Sequence, residues 1–90
     1  MKTTVQSKTQ VINCPVIWRK EPYVRPINKE QSAIMQRICY VHEGKQYYTD
    51  VVLELVKKEN AITRYRAMRT RTFNAKRNGT LGFYKMEVSA

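Results

Sequence analysis

Apolar and polar residues alternate with period two along much of this chain, and the alternation predicts strands joined by turns. Val11 to Arg19 is apolar and β-branched at Val11, Ile12, Val16 and Ile17, with Trp18 near its end. Pro15 inside it predicts an edge or bulged strand. Lys20 to Ile27 holds Pro22, Tyr23, Arg25 and Pro26, which reads as an extended excursion rather than a helix. Ser32 to Val41 and Tyr47 to Val56 read as the second and third strands. The short turn His42-Glu43-Gly44-Lys45 joins them into a hairpin. In the third strand Tyr47, Thr49, Val51, Leu53 and Leu55 fall on one face. Asp50 and Glu54 share the other with Val52 and Val56. A helix capped by Thr49 or Asp50, with Val51, Val52 and Leu55 on its stripe, is the rival reading. The β-branched residues and the turn-like Lys57-Lys58-Glu59-Asn60 favour the strand.

Ala61 to Phe73 reads as a fourth strand, because Thr is stiff at its β-carbon and alternates with Arg. Its phase breaks: Arg64 and Arg66 share one face, Arg69 and Arg71 the other. A bulge near Ala67 reconciles them. Asn78-Gly79 fits a hairpin turn needing positive φ, and Thr80 to Val88 follows as a fifth strand with Tyr84, Met86 and Val88 on one side. Residues 1–9 are a polar lead-in. The whole chain, 1–90, reads as one all-β domain: a five-stranded antiparallel OB-like barrel.

Charge changes the picture from fold to partner. Seventeen Lys and Arg against seven Asp and Glu give a net charge of +10 and a pI of about 10.0. Between Lys57 and Arg77 lie Lys57, Lys58, Arg64, Arg66, Arg69, Arg71, Lys76 and Arg77 against Glu59 alone. Self-repulsion of that size needs a polyanion or salt, and solubility alone does not require it. With 42% hydrophobic residues the chain is not a disordered basic tail. A domain this small is often helped by a second subunit. No secretory leader is visible in the polar stretch 1–10, and no apolar run in this sequence reaches membrane-spanning length. The expectation is a cytoplasmic protein, not a membrane one, with Cys14 and Cys39 as free thiols.

Catalysis finds little support. Asp50 is the only aspartate, His42 the only histidine, and the glutamates are scattered at 21, 30, 43, 54, 59 and 87. Two-metal chemistry needs clustered carboxylates. No nucleophile elbow is present, and Gly44, Gly79 and Gly82 do not make a phosphate-cradling loop. Cys39 and His42 have C-x-x-H spacing with Cys14 as a third candidate, but a structural zinc takes four ligands in recognisable pairs. The chain therefore reads as a non-enzyme without cofactor or metal. Six Tyr, one Trp and two Phe provide faces for base stacking while Lys and Arg track phosphates. The competing role for any one aromatic is core packing, above all for Trp18, Phe73 and Phe83. No helix-turn-helix or finger is visible to enter a duplex groove, so single-stranded nucleic acid fits better.

The string Cys39-Tyr40-Val41-His42-Glu43-Gly44-Lys45-Gln46-Tyr47 resembles the C-Y-V-x-x-G-x-x-Y hairpin of the gene V-type single-stranded DNA-binding proteins of filamentous phages. Thr72-Phe73, Gly79-Thr80-Leu81, Lys85 and Val88 keep that family's spacing downstream. The resemblance covers residues 28–90 with a small gap near 57–64. It implies an OB-like barrel with extruded hairpins, a homodimer, and cooperative, largely sequence-independent coating of phage DNA during replication and before packaging in the host cytoplasm. It also implies DNA-binding roles. Arg19, Tyr23, Arg25 and Lys29 lie in the Arg19–Gln31 excursion, Tyr40 and Tyr47 on the hairpin and Lys85 on the last strand. The hairpin Phe73 to Leu81, with Asn78 and Gly79, would reach across the dimer axis. Val52, Asn78 and Glu87 depart from the family at DNA-contact positions. Arg64 and Arg66 are candidates to neutralise phosphates in their place. Two rivals stand beside this expectation: a basic module or inhibitor docking on an acidic host protein, and a regulator that binds RNA.

Overall fold

The computed structural model describes residues 9–89, so most of the polar lead-in lies outside the described residues. Five strands run as β1 (Thr9–Arg19), β2 (Tyr23–Pro26), β3 (Gln31–His42), β4 (Lys45–Lys57) and β5 (Phe83–Ser89). A 3₁₀ turn, Lys58–Asn60, leads from β4 into the helix α1 (Ala61–Asn78). Strand accounts for 58% of the structure, and every strand pair is antiparallel, so the architecture is β-rich as expected.

β3 is the spine. β4 pairs with its whole length on one side, from Gln31↔Lys57 to His42↔Lys45. Its other side is shared: β2 pairs with the first half, Tyr23↔Met35 to Pro26↔Ser32, and the end of β1 with the second, Val16↔Tyr40 to Arg19↔Ile38. The Lys20–Ile27 excursion is thus a continuation of β1 along β3. The first half of β1 leaves β3 and pairs with β5, Thr9↔Ser89 to Pro15↔Phe83. The change of partner falls at a bulge between Val16 and Trp18, next to Pro15, where an irregular strand is expected.

The sheet is open, which corrects the barrel. Among the described residues β5 pairs only with β1 and β4 only with β3, so no ladder closes the ring. The count of five holds with different membership, because β2 is a strand and Ala61–Phe73 is not. That stretch is α1, and Ala67 sits in its middle without a bulge. Ala61, Tyr65, Met68, Thr72 and Ala75 recur at spacings of four and three, and they are the positions α1 turns toward the sheet. The Arg/Thr alternation is compatible with helix because Arg is a good helix former. Asn78-Gly79 is also not a hairpin. Gly79, at φ 70°, ends α1: its N–H reaches the Lys76 carbonyl (3.4 Å) and the Thr80 N–H the Ala75 carbonyl (2.9 Å). A helix stop and a tight hairpin both need positive φ, so Asn-Gly signals either. The last strand consequently starts at Phe83 rather than Thr80. The turn at Glu43-Gly44 (φ 52° and 75°) is the expected hairpin.

α1 covers one face of the first half of β3. Ile34, fully buried, packs there with Val56, Ala61 and Met68, and Leu53 and Tyr65 close the edges. A bulge in β4 lies between the pairs Ile34↔Glu54 and Met35↔Val52, so Leu53 is unpaired. The extra residue flips the alternation. Leu55 therefore leaves the face of Tyr47, Thr49 and Val51, while Glu54 and Val56 turn toward α1. Glu54 there accepts two hydrogen bonds from Arg64, both 2.7 Å. Arg64 holds the Glu54 carboxyl below the usual carboxylate range, as Arg37 does for Asp50. Both folded-state values are lowered, so the stabilisation is complete above the unfolded range, about pH 4, and is lost as pH falls through the folded values. Urea midpoints should drop on acidification below about pH 4, and Glu54→Gln should flatten that drop.

Beneath α1 a buried polar network is fully paired. Gln36, 1% exposed, donates to the Lys20 carbonyl and the Thr72 hydroxyl (2.8 Å each) and accepts from Arg19 (2.8 Å). Arg19 Nε also donates to the Leu81 carbonyl (2.9 Å), tying the end of β1 to the link before β5. Burial lowers the Arg19 pKa. Arg19→Ala should cost about 1–3 kcal/mol, because it leaves the Gln36 and Leu81 oxygens without this donor. Urea unfolding would read the loss.

Candidate nucleic-acid interface

Among the described residues no element lies over the face of β3 turned away from α1. Register places Trp18, Cys39 and Tyr48 side by side on that face, then Arg37 and Asp50, then Tyr23, Met35 and Val52, then Arg25, Ala33 and Leu55. The bulge at Ile17 turns Trp18 outward and Arg19 inward. The small or slender residues of the central strand, Ala33, Met35 and Cys39, are buried, and the large ones on its neighbours stand up around them. Trp18 (40% exposed), Tyr23 (38%) and Tyr48 (64%) are open to solvent. The Trp18 and Tyr48 rings meet edge to face, centroids 5.9 Å apart, across Cys39.

Positive charge lies among these rings. Arg37 forms a two-point ion pair with Asp50 (3.1 and 3.4 Å) at the centre of the face. Arg37's hydrogen bond is the chief cause of the lowered Asp50 pKa, and Tyr23 and Lys20 pull the same way. Register puts Tyr23 on this face, and the exposed Lys20 has its N–H on the Arg37 carbonyl (2.9 Å). Arg25 is exposed and makes no ion pair among the described residues. The arrangement offers rings for bases, cations for phosphates and a single acid already engaged.

The expected site residues divide between the two faces. Tyr23 and Arg25 belong to the open face, with Lys29 exposed at the tip of the β2–β3 hairpin. Tyr40 and Tyr47 lie on the α1 side, beyond the end of the helix. Their rings stack at 5.6 Å, and Tyr84 of β5 approaches Tyr40 to 4.5 Å. Tyr40 is half-buried, its hydroxyl 4.0 Å from Met86 Sδ, and burial raises its pKa. Arg19 is committed to Gln36 and Leu81, and Arg64 to Glu54. Arg66 and Phe73 are exposed on α1, and Lys85 is exposed on β5, turned away from Tyr84. The Phe73–Leu81 hairpin does not exist: Phe73 is helical, Asn78 and Gly79 end the helix, and Leu81 is in the link to β5.

Tyr48, Arg37 and Lys20 join the site without having been expected there. Strand alternation carries a signal for Tyr48, since Tyr47 and Tyr48 must point to opposite faces. Trp18 reads equally well as core: Pro15 predicts an irregular strand, but it is the position of the bulge, at Ile17, that turns Trp18 outward. Cys14 and Cys39 are both buried and free, on opposite faces of the sheet. Cys14 Sγ lies 3.9 Å from His42 Nδ1, and among the described residues no group of three or more possible metal ligands converges. No helix among them is long and apolar enough to cross a membrane. Comparison with known proteins leaves this geometry standing alone: no family model, no curated protein and no solved structure matches the chain.

Proposed function

We propose that this protein binds single-stranded DNA without reading its sequence, on the open face of the sheet. One observation carries the reading: Trp18, Tyr23 and Tyr48 are exposed beside Arg25, Arg37 and Lys20 on a face that no element among the described residues covers. Aromatic stacking accepts any base, at about 1–3 kcal/mol each, and the cations release counterions from the phosphates. The protein is a binder rather than an enzyme. Its net charge of +10 supplies the attraction.

A homodimer belongs to this proposal. The radius of gyration is 16.4 Å, against about 12 Å for a compact chain of this length. The outer face of the β1–β5 pair exposes Val11 (57%) and Phe83 (63%), with Lys85 and Glu87 between them as charges a two-fold axis can pair. Packing two copies there would give each the cover that one lacks. Such dimers aligned along a strand would coat it cooperatively, the behaviour the gene V-like hairpin suggests for phage DNA.

The test is titration of oligo-dT at several salt concentrations, with duplex DNA and RNA of equal length as competitors. Binding that weakens steeply with salt, and a slope about 0.7 shallower for Arg25→Ala, support the reading. Absence of oligo-dT binding at low salt overturns it. Light scattering on the free protein checks the dimer.

A further inference from the structure

The helix that replaces the expected fourth strand carries an exposed stripe that the open face does not use. Arg66, Arg69, Phe73 and Lys76 follow one another at spacings of three, four and three, which sets them on one side of α1. With the β1–β2 link at Glu21 and Pro22 they line a groove of about 550 Å³. Phe73 is 62% exposed there. Glu21 approaches Arg69 to 3.6 Å, but both side chains are more than half exposed, so the pair holds Arg69 weakly. Arg66 and Lys76 make no ion pair among the described residues, and α1 contains no acid. Three cations, one loosely held acid and one bare ring repeat the chemistry of the open face.

The groove also adjoins that face. Among the described residues β2 is an edge strand, paired only with β3. Tyr23 and Arg25 stand on its open side and α1 packs beneath it. Lys20, its N–H on the Arg37 carbonyl (2.9 Å), precedes Glu21 and Pro22 in the link. A strand leaving Tyr23 therefore meets the α1 stripe as soon as it passes the edge. The rise from Arg66 to Lys76 is about 15 Å, room for a few nucleotides.

We propose that the α1 groove is a second binding segment for the same single strand: the strand crosses the β2 edge, its phosphates run along Arg66, Arg69 and Lys76, and one base stacks on Phe73. This inference rests on the open-face reading, and the experiment separates the two. Oligo-dT of increasing length is titrated against the wild type, Arg66→Ala/Arg69→Ala, Arg66→Lys/Arg69→Lys and Phe73→Ala. All substituted side chains are exposed, and circular dichroism confirms the fold. The wild type should gain affinity in two stages as length grows. The double alanine variant should keep the first stage, lose the second, and show a salt slope about 1.4 shallower on long oligomers, two phosphates at about 0.7 each. The double lysine variant should keep the slope. Phe73→Ala should weaken long oligomers about 5- to 150-fold and leave short ones unchanged. If the wild type binds short and long oligomers but the double alanine variant matches it throughout, the groove is not a nucleic-acid segment, and an acidic protein becomes the better partner for the stripe. If the wild type binds no oligomer, the open-face reading falls first.

Discussion

Replacing Trp18 and Tyr48 together by alanine should weaken oligo-dT binding by about 2–6 kcal/mol, one stacking contribution of about 1–3 kcal/mol for each ring. The salt slope should stay where it was, because neither ring meets a phosphate charge. The two rings lie edge to face over Cys39 with no element among the described residues above them, so a base can reach either without moving the fold. Trp18 is the only tryptophan, so quenching of its emission reports the contact directly in the wild type, and anisotropy of a labelled oligomer serves for the variant. Tyr40→Ala with Tyr47→Ala is the decisive comparison. Those rings occupy the opposite face, stacked on each other, with Tyr84 tilted against Tyr40. If that pair of substitutions costs more binding than the Trp18–Tyr48 pair, the platform is the α1 side and the open face is misassigned.

The contrast between the two tyrosine sets shows what the sequence could carry. Period-two patterning locates β1, β3, β4 and the Glu43-Gly44 turn, because each rests on local alternation or on one positive-φ position. Which face Tyr40 and Tyr47 share depends on register and on what packs there. Two bulges lie beyond the pattern. The one at Ile17 exchanges Trp18 for Arg19, so Arg19, expected at the DNA, serves as an internal tie. The one at Leu53 turns Glu54 inward to meet Arg64. Pro15 marks β1 as irregular without fixing which residue is inserted, and nothing in the sequence marks Leu53, since a bulge is placed by what packs on both sides of it. The mistaken fourth strand has a different origin. Between residues 61 and 78 two periods coexist, Arg/Thr at two and Ala61-Tyr65-Met68-Thr72-Ala75 at four and three. The β preference of Thr favours the first. Tertiary burial chooses the helix, because only the second period brings Met68 and Thr72 onto Ile34 and Gln36.

Met68→Ala should then be the most damaging single change to the fold, at about 2–5 kcal/mol for a buried side chain of this kind. That is a large share of the roughly 5–15 kcal/mol that holds a domain together. α1 has little to stabilise it alone. Arg64, Arg66, Arg69, Arg71, Lys76 and Arg77 repel one another, and no acid within α1 relieves them. Lys76 and Arg77 suit the negative end of the helix, but Arg64 sits near the positive end and depends on Glu54 across the gap. Docking is what keeps α1 folded, and Met68, 3% exposed against Ile34 and Val56, is the centre of that docking. The loss should appear as a lower urea midpoint and as helical ellipticity that melts before the strand signal. Added salt should recover part of it by screening the arginines. Oligo-dT should recover more if α1 binds the strand, because a ligand held only by the docked helix stabilises it by mass action. Recovery by salt and oligo-dT to equal extent at matched ionic strength would leave the helix with screening alone.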